Sequence, residues 1–183
     1  EGVRELDLLH WGLVPSWSKD PKMGARMINA RGDTVATKPS FRSAFKRRRC
    51  LIPADGFFEW KKLDAKKKQP MYIRLKEDAP FAFAGLWESW HGDGDELESC
   101  TIITTDANDL LREVHDRMPV ILPEEAYDAW LDPKEADAET LQSLLVPYPS
   151  DEMTCYPIST FVNYPRNDSP KCLEPASGGS SLF

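Results

Sequence analysis

Short apolar runs broken by proline, glycine and charged residues dominate the hydrophobic pattern of this chain. Runs of this length that are rich in branched and aromatic side chains predict strands. They occupy residues 8–14, 27–31, 50–53, 56–61, 71–75, 81–87, 100–104 and 154–158. The pattern therefore predicts a protein built mainly from short strands.

Helical spacing of apolar residues marks the other segments. Phe41, Ala44 and Phe45 have this spacing within 40–48, where the opposite face is basic. Further helices are predicted over 106–114, with Thr105 or Asp106 as N-cap, over 123–131 and over 136–145. Because helices and strands do not alternate strictly, we expect one α+β domain. We expect its core to be a strongly curved, barrel-like, mainly antiparallel sheet flanked by short helices.

Composition narrows the class of protein. A chain of 183 residues suits one well-buried domain, and 41% hydrophobic with 29% charged residues is typical of a globular protein. No apolar run approaches the roughly 20 residues of a membrane helix. The four cysteines, at 50, 100, 155 and 172, lack metal-ligand spacing. We expect free thiols, no metal and no cofactor, although two disulfides are possible by number.

Charge is divided unevenly along the chain. Residues 1–76 carry 18 Lys+Arg against 8 Asp+Glu, a net +10, and residues 77–183 carry 5 against 22, a net −17, which together give −7. Such a division indicates a basic part that can bind a polyanion. The alternative is that both halves fold together and the charges mix on one solvated surface.

Three polar residues, Asn29, Glu59 and His115, stand in segments that otherwise look apolar. Glu59 alternates with Phe58 and Trp60, so an inward Glu59 would have a raised pKa and could act as a general acid or base. The alternative is an edge residue that faces water and pairs with Lys61 or Lys62. Asn29 interrupts an apolar strand, where burial would require hydrogen-bond partners.

His115 follows the predicted helix 106–114, and a helix C-terminus favours imidazolium. It can act chemically or simply cap the helix. Arg31 shares the strand face of Asn29, and its guanidinium suits phosphate. Trp17, in a proline-containing loop, can stack on an unpaired base or pack on the core. Cys50 follows three arginines but begins an apolar strand, so we do not expect it to be a nucleophile.

Several segments carry a resemblance to a known family. They read WGLVPSW at 11–17, NAR at 29–31, TVAT at 34–37, RCLIPADGFFEW at 49–60, TIITT at 101–105, HDRMP at 115–119 and PIS at 157–159, followed by Asn163. In this order and spacing, from about residue 9 to 175, the chain resembles the SRAP family. This SOS response-associated peptidase domain occurs in bacterial and eukaryotic proteins that protect abasic sites in single-stranded DNA.

The resemblance implies an activity. In the family, removal of the initiator methionine by the protein itself exposes a cysteine, whose amine and thiol condense with the aldehyde of an abasic sugar into a thiazolidine. Asn29 would position that cysteine, Glu59 would shuttle protons, and His115 would help to open the sugar and to reverse the link. The residues implied to contact DNA are Trp17, Arg31, Lys38 and Arg117.

The resemblance also implies an organisation. The initiating cysteine and a strand near it would precede residue 1, so we expect residues 1–175 to be an SRAP-like domain without its N-terminal segment. Residues 176–183 would be a flexible tail. The expected partner is single-stranded DNA with abasic sites, bound by a monomer without a membrane. The compartment would be the cytoplasm and nucleoid in a bacterium, or the nucleus in a eukaryote.

Two other functions compete with covalent capture. A non-covalent single-stranded DNA-binding module would bind abasic and intact strands equally, with a steep dependence on salt. A protease acting on other proteins would need a nucleophile that the sequence does not offer. Covalent capture requires the side chains of Asn29, Glu59 and His115 to converge on one cleft.

Overall fold

The computed structural model describes residues 4–92, 94–134 and 137–176, which form two compact units. Unit 1 consists of Glu1–Ile52, Phe83–Thr105 and Pro119–Val146. Unit 2 consists of Pro53–Ala82, Asp106–Met118 and Pro147–Phe183. Because each unit is assembled from three separated segments, neither can be excised as one stretch of chain, as is usual within a single domain.

Unit 1 contains most of the larger sheet. Its strands are β1 (His10–Trp11), β2 (Asn29–Arg31), β3 (Arg49–Ala54), β6 (Phe81–His91), β7 (Glu96–Asp106) and β9 (Ile121–Leu122). The order is β1-β7-β6-β3, with β2 also paired to β7 and β9 to β6. The β6–β7 pair is antiparallel, whereas β1 and β2 both run parallel to β7.

The core of unit 1 lies between this sheet and three short helices. The helices are α1 (Arg42–Arg47), α2 (Tyr127–Leu131) and α3 (Ala138–Ser143). Phe45 and Trp130 from α1 and α2 are fully buried and meet edge-to-face at 6.1 Å between ring centroids. Arg49 is buried beside them and donates hydrogen bonds to the carbonyls of Phe45 and Trp130. This arginine is therefore a structural residue.

Unit 2 is organised around a smaller antiparallel sheet. Its strands are β4 (Phe57–Lys62), β5 (Lys68–Leu75) and β10 (Met153–Pro157), in the order β10-β5-β4. The short strand β8 (Arg117–Pro119) also begins in this unit. Aromatic rings line one face of the sheet, where Tyr72 lies between Phe58 at 5.5 Å and Tyr156 at 5.7 Å. The other face carries the buried Ile73 and Met71.

The predicted α+β class is confirmed. Over the described residues the strands form two separate sheets rather than a closed barrel. The helix predicted at 40–48 is confirmed as α1, and the one at 136–145 as α3. Helix α3 begins after Asp137, whose carboxylate accepts the Thr140 N–H at 2.8 Å, and this bond lowers the pKa of Asp137.

The helix predicted at 106–114 is wrong. Asp106 is instead the last residue of β7, and only Leu111–Glu113 forms a single 3-10 turn. Asn108 caps this turn, since its buried side chain accepts the Leu111 N–H at 3.0 Å and also donates to the Tyr148 carbonyl at 2.7 Å. A capping residue lies outside the helical turn that it starts, so the turn begins after Asn108 rather than at Asp106. Of the predicted tail at 176–183, residues 177–183 lie outside the described residues.

Candidate nucleic-acid interface and catalytic residues

Strand β2 presents its polar residues to solvent. It pairs with β7 in the register Asn29–Ile102 to Arg31–Thr104, and Ala30 points into the core. Asn29 and Arg31 lie on the opposite, exposed face, as alternation requires. The predicted shared face is confirmed. The hydrogen-bond partners that a buried Asn29 would need are therefore not required, because its face of β2 is exposed.

The guanidinium of Arg31 has a partner close in sequence. Its Nη2 lies 2.7 Å from Asp33 Oδ2, and its Nε lies 3.1 Å from Oδ1. The Arg31 side chain is nevertheless 61% exposed. An exposed ion pair of this kind is worth about 0–1 kcal/mol, so a phosphate can replace Asp33 at little cost.

A second exposed tryptophan lies next to β2. Trp11 belongs to the predicted apolar strand 8–14, yet its side chain is 55% exposed. Its indole N–H donates to the carbonyl of Ile28 at 2.8 Å, which fixes the ring directly beside β2. Because β1 is only two residues long, it offers no alternation from which this exposure could have been predicted.

Trp17 lies in a loop of unit 1 and is 58% exposed. The loop is anchored next to it, since the Trp90 indole N–H donates to the Ser18 carbonyl at 2.7 Å. At its base Gly12 and Gly24 pack backbone against backbone: a Cβ on Gly12 would lie 2.6 Å from the Gly24 carbonyl oxygen. Trp17 is therefore an open aromatic surface on an anchored loop.

Lys38 is also exposed in unit 1. Its ammonium group lies 5.6 Å from the centroid of the Phe41 ring, within the range of a cation–π contact. The contact involves only the ring, so the three N–H donors of Lys38 can still reach an anion. This geometry is compatible with the predicted contact between the Lys38 ammonium group and DNA.

Glu59 lies on β4, the edge strand of the described sheet in unit 2, and is half-buried. It pairs with Met71 across the ladder and shares its face with Phe57 and Lys61. Its Oε2 accepts the backbone N–H of Trp60 at 3.4 Å. The ion pair considered between Glu59 and Lys61 is not formed. Glu59 thus has an apolar neighbour on its face and remains accessible.

His115 follows the 3-10 turn rather than the end of a helix. Its ring nitrogen Nδ1 accepts the backbone N–H of Arg117 at 3.0 Å. A ring that accepts this bond carries its hydrogen on Nε2. The same Nδ1 lies 3.2 Å from the Arg117 carbonyl oxygen and 3.1 Å from Asp116 Oδ1.

Lys61 connects the strand of Glu59 to the turn before His115. Its ammonium group lies 3.5 Å from the carboxylate of Glu113, two residues before the histidine. Lys61 points to the same face of β4 as Glu59. This ion pair therefore joins the two segments of unit 2 that carry the candidate acid–base residues.

Arg117 is held more tightly than the sequence indicated. Its Nη1 lies 2.6 Å from Asp106 Oδ1, and its side chain is only 15% exposed. The carboxylate partner is 84% exposed. Arg117 is therefore mostly buried, and only its partner Asp106 is exposed. The ion pair joins the end of β7 to β8.

The cysteines are all free, as predicted. Burial, with a smaller contribution from Cys100, raises the pKa of Cys50 to about 12. Burial raises the pKa of Cys155 to about 11, although Lys61 acts in the opposite direction. The same cause raises the pKa of the Cys100 thiol. These thiols are protonated at neutral pH and are poor nucleophiles.

The structure brings some candidates together. Glu59, His115 and Arg117 belong to unit 2, and Trp17, Asn29, Arg31 and Lys38 belong to unit 1. The convergence of Asn29 with Glu59 and His115 on one cleft stays a prediction. Among the described residues no group of His, Cys, Asp or Glu is arranged to hold a metal. None of the helices in the described ranges has the length and apolar character of a membrane span.

The strand-rich α+β fold and the exposed tryptophans of unit 1 define the structural class of this protein. Comparison with known proteins makes the class specific. The family model described as SOS response associated peptidase (SRAP) matches residues 1–165. The chain belongs to the SRAP family.

Relatives and solved structures agree with this assignment. The chain is 54% identical over 170 residues to the abasic site processing protein YoqW of Bacillus subtilis, covering 92% of this chain and 76% of that protein. It is 37% identical over 194 residues to the abasic site processing protein HMCES of Xenopus tropicalis, covering 93% and 57%. A crystal structure of a protein from Bacteroides thetaiotaomicron superposes with a TM-score of 0.84 at 36% identity, covering 92% and 75%.

Proposed function

We propose that this protein processes abasic sites in single-stranded DNA by forming a covalent thiazolidine link. The thiol and amine would belong to a cysteine on a segment that precedes Glu1. The observation that carries the proposal is the 54% identity over 170 residues to a protein named abasic site processing protein. The raised pKa values of Cys50 and Cys155 support a nucleophile outside this set of thiols.

The chemistry suggests a role for each of the three polar residues. The terminal amine adds to the sugar aldehyde, and loss of water gives an imine. The thiol sulfur then adds to the imine carbon, its proton passing to the nitrogen, so that a five-membered ring closes. Glu59 carries protons in the addition and dehydration steps. His115 donates from Nε2 to the sugar oxygen during ring opening, and Asn29 orients the terminal cysteine.

DNA would be bound by exposed groups around this chemistry. Arg31 exchanges Asp33 for a phosphate, and Lys38 adds a second cationic contact. Trp17 stacks on an unpaired base, for which its 58% exposure leaves room. Arg117 contributes at the surface with Asp106, so its contact with phosphate is weaker than that of Arg31. The proposed removal of the initiator methionine would be self-catalysed and would precede all binding.

The test compares protein carrying its genuine N-terminal cysteine with the chain that begins at Glu1. Each is incubated with a single-stranded oligonucleotide containing one abasic site and analysed on a denaturing gel. We expect a denaturation-resistant adduct only with the cysteine-bearing protein. Glu59→Gln and Asn29→Ala should each slow its formation at least tenfold, and Cys50→Ser should not. Glu77→Gln, an exposed carboxylate of unit 2, is the matched control.

Absence of an adduct from the cysteine-bearing protein would reject the proposal. The second candidate is a non-covalent single-stranded DNA-binding module, favoured by the exposed rings of Trp11 and Trp17. It requires equal affinity for abasic and intact strands. It also requires that Glu59→Gln leave binding unchanged, so the same set of variants separates the two functions.

A further inference from the structure

The β4–β5 hairpin carries a concentrated positive charge that the proposed chemistry does not use. Residues 61–68 contain five lysines and one aspartate, in a chain whose net charge is −7. Lys61 is paired with Glu113. In the part of the chain that the structure describes, no ion pair is formed by the other four, which are Lys62, Lys66, Lys67 and Lys68. These four lysines, all exposed, are named the hairpin lysines.

The hairpin holds these charges in place. The carboxylate of Asp64 accepts the backbone N–H groups of Lys66 at 2.7 Å and Lys67 at 2.9 Å. The N–H of Leu63 donates to the Lys67 carbonyl at 3.0 Å, which closes the turn. The one acidic side chain therefore orders the turn backbone rather than neutralising a lysine side chain.

Two of the hairpin lysines oppose each other. Lys62 and Lys68 are direct partners across the β4–β5 ladder. Like charges in this position destabilise a strand pair. An anion bound between them would remove the repulsion, and a phosphate is the anion that fits two ammonium groups on one surface.

An aromatic ring lies on the same face. Trp60 is two residues from Lys62, so both side chains project from one side of β4, opposite to Glu59. Trp60 is 36% exposed, and its indole N–H donates to Asn163 Oδ1 at 2.8 Å, which fixes the ring. A groove of about 660 Å³ runs along this end of the sheet, lined by Trp60, the hairpin lysines and Asn163.

From this arrangement we infer that the groove is a second binding site for single-stranded DNA, on the face of the sheet opposite to Glu59. The hairpin lysines hold phosphates and Trp60 stacks on a base. A held aromatic ring beside a row of cations is the combination that binds single strands without reading sequence. An acidic peptide would use the lysines and leave the ring without a role. The site takes intact strand, so it does not depend on the covalent chemistry proposed above.

The experiment measures binding of an intact single-stranded oligonucleotide, without an abasic site, across a range of salt concentrations. Removing two phosphate contacts with Lys62→Gln/Lys68→Gln should lower the steepness of the log–log salt dependence by about 1.4 and weaken binding about five- to tenfold at moderate salt. Lys76→Gln/Lys134→Gln removes two exposed lysines outside the hairpin and should change neither quantity.

Two further readouts separate binding from folding. The Lys62→Gln/Lys68→Gln variant should melt about 1–3 °C higher than wild type, because the cross-strand repulsion is gone. Trp60→Leu should weaken binding about tenfold, whereas Trp60→Phe keeps a ring and should stay close to wild type. Each variant is also tested for adduct formation with saturating abasic oligonucleotide.

The outcomes are distinct for the two proposals. If the hairpin variants bind intact strand as the Lys76 and Lys134 control does, the second site is rejected, whatever the adduct assay gives. If they weaken binding as expected while wild type with its cysteine forms no adduct, the second site stands and the covalent function fails.

Discussion

Two arginines of this protein differ in how their ion pairs are built. Arg31, on strand β2 of unit 1, is 61% exposed and pairs with an exposed aspartate two residues away. Arg117, on strand β8 of unit 2, is 15% exposed and pairs at 2.6 Å with Asp106, eleven residues earlier in the chain. The first ion pair spans one turn of backbone, whereas the second joins two elements of the fold.

The difference separates an arginine that links two elements of the fold from one on an exposed surface. Arg117 resembles the buried Arg49 of unit 1, whose guanidinium donates to backbone carbonyls of α1 and α2. The ion pair of Arg31 with Asp33 is exposed, and exposed pairs contribute about 0–1 kcal/mol to stability. We therefore expect substitutions at Arg31 to change binding, and substitutions at Arg117 to change stability first.

The largest expected effect concerns how fast the buried thiols react. Cys50 has a pKa of about 12 and Cys155 of about 11 in the folded protein. At pH 8 their thiolate fractions are about 0.01% and 0.1%, against about a quarter for an ordinary cysteine. Iodoacetamide should therefore label both at least 100-fold more slowly in the native protein than in urea, as followed by mass spectrometry.

The same raised pKa values fix a direction for stability against pH. The unfolded thiols ionise near pH 8.5, while the folded ones keep their protons, so the folded state binds more protons above that pH. The contribution of these thiols to the free energy of unfolding should be level below about pH 8 and should fall as the pH rises toward 11. Fast native labelling of Cys50, or stability that rises over this range, would contradict the assigned burial.

The next effect is on the free energy of unfolding. Arg117→Ala should lower it by about 2 kcal/mol, since a charge-assisted hydrogen bond on a mostly buried side chain is lost. Arg31→Ala should change it by less than about 0.5 kcal/mol. Urea denaturation of both variants measures the difference, and equal losses would end the distinction drawn between the two arginines.

Binding should show the reverse order. Arg31→Ala should weaken single-stranded DNA binding about tenfold, as loss of a phosphate contact does. Asp33→Asn removes the carboxylate that competes for Arg31, so it should strengthen binding two- to threefold, by roughly 0.5 kcal/mol. Fluorescence anisotropy at fixed salt measures both. Weaker binding by the Asp33 variant would mean that the ion pair positions Arg31 rather than competing with phosphate.

The smallest effect is expected at Lys61. Lys61→Met breaks the contact with Glu113 and should cost less than about 1 kcal/mol of stability. Because that contact joins the strand of Glu59 to the turn of His115, adduct formation should slow about two- to fivefold. Arg74→Met, which breaks the comparable exposed pair with Asp78 in the same unit, is the matched control and should leave the rate unchanged.

The strands were largely predictable from the sequence because β-branched and aromatic runs bounded by turn residues are a local signal. Strand β4, for example, is predicted over 56–61 and is found at Phe57–Lys62, a shift of one residue at each end. The segment 106–114 was predicted less well, since β7 extends to Asp106 and Asn108 makes a hydrogen bond to Tyr148, forty residues away. Local pattern carries no information about such a partner.

The candidate site was predictable only in part, for the same reason. The identities of Asn29, Glu59 and His115 came from motif resemblance, but the exposure of Asn29 depends on which face of β2 is covered. The pairing of Arg117 with Asp106 and of Lys61 with Glu113 depends on the tertiary fold. The sequence therefore indicated candidate residues, but not their exposure or their partners in the fold.

The backbone contact between Gly12 and Gly24 has a consequence for how the Trp17 loop can change. A methyl group at either position would overlap the carbonyl of the other, at 2.6 Å or 2.4 Å. Gly12 also has φ of +129°, which disfavours any side chain. The two glycines therefore fix the base of this loop. Trp17 lies at its exposed part, so this position can be substituted while Gly12 and Gly24 keep the base unchanged.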